Sequence, residues 1–125
     1  MGGMNVGRVM ALHAKLDHRP MRLLVHMAFR SLDPGQLRSD RDDLPCMYWD
    51  GAAIQSLAVW GLGWTPGRDR ELRRMRADLV RICAIDKVGT YRQRPVFRVI
   101  TGDEPSRTDA QLWIAHRRTA RESGV

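Results

Sequence analysis

Lysine is nearly absent from this 125-residue chain: Lys15 and Lys87 are the only two, against 19 arginines. There are two cysteines, Cys46 and Cys83. They stand 37 positions apart with no His or Cys at metal-ligand spacing, so neither a zinc site nor a disulfide framework is expected. No apolar run approaches 18 residues, which excludes a hydrophobic transmembrane helix. Met1 to Met10 lacks the long apolar core of a signal peptide, so the bacterial cytosol or a host cell's nucleoid is the expected compartment. No glycine-rich phosphate loop is present. Ser31, Ser39, Ser56 and Cys83 stand in no nucleophile motif, so no catalysis and no cofactor are expected.

The length fits one domain spanning 1–125. Apolar residues make up 43% of the chain, enough for a core, and charged residues make up 28%. The net charge is +7 and the isoelectric point about 10.6. A small protein this basic is suited to an anionic partner, most often nucleic acid.

The excess charge is concentrated. Residues 68–98 hold ten Lys or Arg and four Asp or Glu, a net of +6. Residues 1–67 carry +1 and residues 99–125 carry none. A compositional bias toward arginine would spread the charge along the chain.

Periodicity places the elements. Val6, Val9, Met10, His13 and Leu16 predict a helix over about 5–17. Met21, Leu24, Val25, Ala28 and Leu32 predict a second over 19–32, with Pro20 in its first turn. Residues 33–47 read as a loop, opened by Asp33-Pro34-Gly35. Asp40, Asp42 and Asp43 within it form a solvated stretch. Asp50 is a candidate N-cap for a third helix bearing Ala53, Ile54, Leu57 and Ala58 and ending near Trp60 at Gly61-Leu62-Gly63. A fourth helix spans 68–83, with Leu72, Met75, Leu79, Ile82 and Cys83 on one face. Strands follow over 84–88 and 95–100, joined by a polar turn over 89–94. Thr108 and Gln111 form a capping box for a last helix over 107–122, carrying Leu112, Trp113, His116 and Ala120 on one side.

The expected fold is mainly α with a small β-hairpin. Helix, glycine turn, helix and hairpin make a winged helix-turn-helix, here with extra N-terminal and C-terminal helices. The helix-turn-helix covers about 50–83 and the wing about 84–100. At 100° per residue, the outer face of the fourth helix holds Arg70, Arg74, Ala77 and Arg81, with Arg73 on the flank and Arg76 nearer the buried edge. The hairpin adds Lys87, Arg92, Arg94 and Arg98. The expected DNA-binding set is Thr65, Arg68, Arg70, Arg73, Arg74, Arg81, Lys87, Arg92 and Arg94. The helix would enter the major groove and the wing would grip the backbone.

The stretches "MRLLVHMAF", "YWDGAAIQSLAVWGLGW" and "RELRRMRADLVRICAID", with "YRQRPVFRVI", resemble helix-turn-helix domains of phage and plasmid proteins, among them replication initiators and small regulators. The likeness covers about residues 20–100. It rests on Tyr48-Trp49, on Leu57-Ala58 followed by Leu62-Gly63, and on the helix closing at Ala84-Ile85. Where the family usually has glycine, this chain has Ala84. The resemblance implies double-stranded DNA as partner, but not whether the target is an operator or an origin.

The other residues have plainer readings. His13, His18, His26 and His116 form no metal pair. Trp49, Trp60 and Trp64 are packing residues. Trp113 packs either on the N-terminal helices or on a second copy, in a homodimer through Leu112, Trp113 and His116. The expected function is a phage-type or bacterial transcriptional regulator. A replication-initiation or replisome-organising factor is the alternative, as is an interaction module that engages a host protein.

Overall fold

The computed structural model describes residues 3–31, 44–51 and 69–122. These comprise four helices and a three-stranded antiparallel sheet: α1 (Gly3–Leu12), α2 (His18–Arg30), β1 (Met47–Trp49), α3 (Asp69–Arg81), β2 (Ile85–Tyr91), β3 (Arg94–Val99) and α4 (Arg107–Glu122). The fold is mixed α/β, compatible with a helix-plus-hairpin arrangement. The helix expected over 50–60, its glycine turn, and most of the loop over 33–47 lie outside the described residues.

The sheet has one strand more than periodicity predicted. Its order is β1-β3-β2. Tyr48 pairs with Phe97 and Trp49 with Val96, so the end of the expected loop is a strand that completes the sheet. Aromatic residues favour that pleated setting. The hairpin is also longer than expected. β2 continues to Tyr91, and only Arg92 and Gln93 make the turn. The register slips between Lys87 and Gly89, so Gly89 lies at a bulge within the strand and not in the turn.

Helices cover both faces of the sheet. Tyr48, Ile85, Phe97 and Val99 point into a core with Val9 of α1, Leu23, Leu24 and Met27 of α2, and Leu72, Met75 and Leu79 of α3. Met47, Val88, Tyr91 and Val96 point the other way, against Ala110 and Ile114 of α4. Side chains alternate along β1 and β3 as a strand requires. Each face therefore excludes water separately.

Several expected faces are rotated. α1 buries Asn5 and Val9, while Met10 is exposed. The reason is polar. Asn5 Nδ2 donates to Ser31 Oγ at 2.9 Å, and its Oδ1 lies 3.4 Å from Cys46 Sγ. The Cys46 thiol also meets Thr101 Oγ1 at 3.3 Å. This buried network ties α1 to the end of α2 and to the flanks of the sheet. On α4, Ala110 and Ile114 face inward and Leu112 and His116 face outward. The reason is a gap: Gly89 leaves room on β2 that the Ile114 side chain occupies. The helix is capped by Ser106, whose Oγ accepts the Asp109 N–H at 3.0 Å, not by Thr108, which sits within the first turn.

Candidate nucleic-acid interface

α3 is docked by one face and presents the other. Leu72, Met75 and Leu79 are buried, whereas Ile82 and Cys83, expected on the same face, lie past the end of the helix at Arg81 and are exposed. Arg70, Arg73, Arg74, Ala77 and Arg81 are exposed, as the helical wheel predicts. Arg81 is held by Asp78 at 3.0 Å. Among the described residues, Arg70, Arg73 and Arg74 form no ion pair. Arg70 thus lies one helical turn from the adjacent Arg73 and Arg74 on an anchored surface. Thr65 and Arg68 lie outside the described residues.

α3 ends in a Schellman motif. The Cys83 N–H donates to the Val80 carbonyl at 3.0 Å and the Ala84 N–H to the Leu79 carbonyl at 2.9 Å. Cys83 takes a φ of 62°, the position where glycine is favoured. The sharp stop feeds the chain directly into β2 and keeps the hairpin beside α3.

The hairpin carries Lys87 and Arg92 in exposed positions, with Arg94 half-buried. Arg92 lies over the Tyr91 ring, 5.3 Å from its centroid. Tyr91 packs edge-on against Trp49 at 5.4 Å, and Trp49 Nε1 donates to the Tyr91 carbonyl at 2.8 Å. Trp49 is therefore a packing residue with a hydrogen-bonding role that only the β1 pairing reveals.

Arg76 and Arg98 leave the cationic surface. Arg76 forms an ion pair with Asp50 in the interior. Burial holds the Arg76 proton affinity below its ordinary value; the Tyr48 hydroxyl opposes that shift and the Arg94 charge adds to it. Arg98, counted with the hairpin cations, binds Asp86 through Nε at 3.0 Å and Nη2 at 2.8 Å. Its Nη1 donates to the Pro105 carbonyl at 2.9 Å. Arg107 reaches the same carboxylate at 2.6 Å. Arg98 is a strut between β2, β3 and the start of α4.

On the other face, Trp113 is half-buried against the sheet-side cluster that includes Trp49 and Leu44, not against α1 or α2. The Arg117 guanidinium lies 4.2 Å from the centre of its ring. Leu112 is 62% exposed. With Leu44, Asp109, Trp113 and His116 it lines an open groove of about 330 Å³.

Among the described residues, no helix is long and apolar enough to cross a membrane. Nor could any group of three or more His, Cys, Asp and Glu side chains hold a metal ion. Neither Cys46 nor Cys83 forms a disulfide among the described residues. No protein family, curated protein or solved structure matches the chain.

Proposed function

We infer that the protein binds double-stranded DNA as a winged helix-turn-helix regulator, with α3 in the major groove and the β2–β3 hairpin on the adjacent backbone. The observation that carries this reading is the exposed Arg70, Arg73 and Arg74 row, unpaired among the described residues, on a helix fixed from behind by Leu72, Met75 and Leu79. Arginine forks fit the O6 and N7 edge of guanine, and each bidentate contact contributes roughly 1–3 kcal/mol of discrimination. Lys87 and Arg92 on the hairpin supply phosphate contacts that orient the helix without reading sequence. The topology supports the same reading: a helix, a short strand, the segment 52–68, a second helix and a hairpin follow one another in the order that this class of domain uses.

The test is fluorescence anisotropy with duplexes selected from random DNA. Changing Arg70, Arg73 and Arg74 singly to Ala weakens binding and relaxes base preference. Changing Lys87 or Arg92 weakens all duplexes alike and lowers the salt slope by about one per lost phosphate contact. Undiminished binding by the three helix variants removes α3 from the interface. Binding sites in palindromic pairs support a regulator, whereas direct repeats within one region support an initiator.

A further inference from the structure

α4 lies across the face of the sheet that carries Val88, Tyr91 and Val96 and touches β2 at three levels. Arg107 Nη1 holds Asp86 at 2.6 Å, near the start of β2. Ile114 fills the space above Gly89 at the bulge. The Arg118 guanidinium donates to the Thr90 carbonyl and lies 3.2 Å from Thr90 Oγ1. The spans agree. Arg107 to Arg118 covers about 16 Å of helix, and Asp86 to Thr90 covers about 13 Å of strand.

The last of these contacts answers a specific need. β2 is an edge strand, and Thr90 stands opposite Pro95, whose carbonyl turns the other way to accept the Asp50 N–H. In such a non-hydrogen-bonded pair the Thr90 carbonyl points away from β3, out of the open edge of the sheet, and Arg118 supplies its partner. The Tyr91 carbonyl receives the Trp49 indole N–H at 2.8 Å. Two successive carbonyls before the turn are thus held by side chains from two other elements. Beyond them stand Arg92 and Gln93, both in the left-handed region at φ 51° and 65°. Non-glycine residues adopt that pair of angles at a cost, and they keep it only where the surroundings impose it.

We propose that α4 is a splint for the wing and that Arg118 is a positioning residue for DNA binding: it sets where Arg92 points without touching the duplex itself. This rests on the DNA-binding reading of α3 and the hairpin. Arg118 is exposed, so R118M keeps the aliphatic stem and the fold while removing the clamp.

The experiment joins amide hydrogen exchange to a salt titration of binding. In R118M, exchange at residues 90–93 speeds up while α3 amides are unchanged. Affinity for a selected duplex falls roughly tenfold, the loss of one charge-assisted hydrogen bond. The slope of log affinity against log salt stays as in the unaltered protein, because no phosphate contact is lost. R118K restores part of the affinity. A slope reduced by about one with unchanged exchange makes Arg118 a phosphate ligand and overturns the splint. R118M binding as tightly as the unaltered chain overturns it too, while the DNA reading stands. An unaltered chain that binds no duplex overturns both.

Discussion

Asp50, just past the end of β1, and Arg76, on the inner side of α3, form an ion pair in the interior; the Asp50 side chain is 2% exposed and that of Arg76 is 13% exposed. It joins the short strand to the helix that presents the arginine row. Buried charges carry a large desolvation cost, so the pair adds little net stability against an apolar pair of the same shape, yet losing one partner strands the other. R76M or D50L alone is expected to cost about 3–5 kcal/mol, a large share of the roughly 5–15 kcal/mol typical of a domain. The double variant R76M/D50L should lose far less than the sum of the singles. Urea denaturation of the four proteins of that cycle measures the coupling. Additive losses would show that the two side chains do not depend on each other.

Cys83 offers a gain. It occupies the left-handed position of the Schellman motif, and its side chain is exposed. Glycine there relieves the strain of a Cβ at φ 62°, partly offset by the greater freedom of glycine in the unfolded chain. C83G is therefore expected to stabilise the fold by about 0.5–1 kcal/mol, whereas C83A should not. Thermal denaturation of both variants checks this. Equal midpoints for the two would mean that the backbone angle carries no penalty.

The turn at Arg92 and Gln93 sets stability against binding. Two positive φ values define a turn in which Asn-Gly is preferred. Replacing Arg92-Gln93 by Asn-Gly should raise stability by about 1 kcal/mol and weaken duplex affinity, since the cation at the tip is gone. A variant that gains stability without losing affinity would take Arg92 out of the interface.

The long elements were legible because their signals are local. α2, α3 and α4 show in helical periodicity, and β2 and β3 in the change of period after Cys83. β1 was not legible. It has three residues, and it is a strand only because β3, about 50 residues later, pairs with it. The site divides along the same line. Exposure of Arg70, Arg73 and Arg74 follows from the helical wheel alone. The fates of Arg76 and Arg98 do not, since their partners are set by tertiary contact and strand register: Asp86 stands opposite Arg98 in the ladder. The count of ten cations over 68–98 therefore overstates those open to a ligand, because Asp50, Asp78 and Asp86 hold Arg76, Arg81 and Arg98.

His26 gives the fold a dependence on pH. It lies on α2, edge-on to the Tyr48 ring at 6.1 Å, and its Nε2 has no hydrogen-bond partner among the described residues. Burial, then the positive charge of Arg30, lowers its proton affinity below the usual 6.5. The unfolded chain, where His titrates near about 6.5, binds a proton more readily than the folded one. Stability from the neutral ring is thus complete above that pH. It is lost as the pH falls from about 6.5 through the lower folded value. Carboxylates titrate near about 4, so the interval from pH 6.5 to 5 reports on histidine. Urea unfolding across that interval should show stability falling in the unaltered protein and falling less in H26Q. If H26Q follows the unaltered curve, the acid sensitivity belongs to another group and His26 is not buried as a neutral ring.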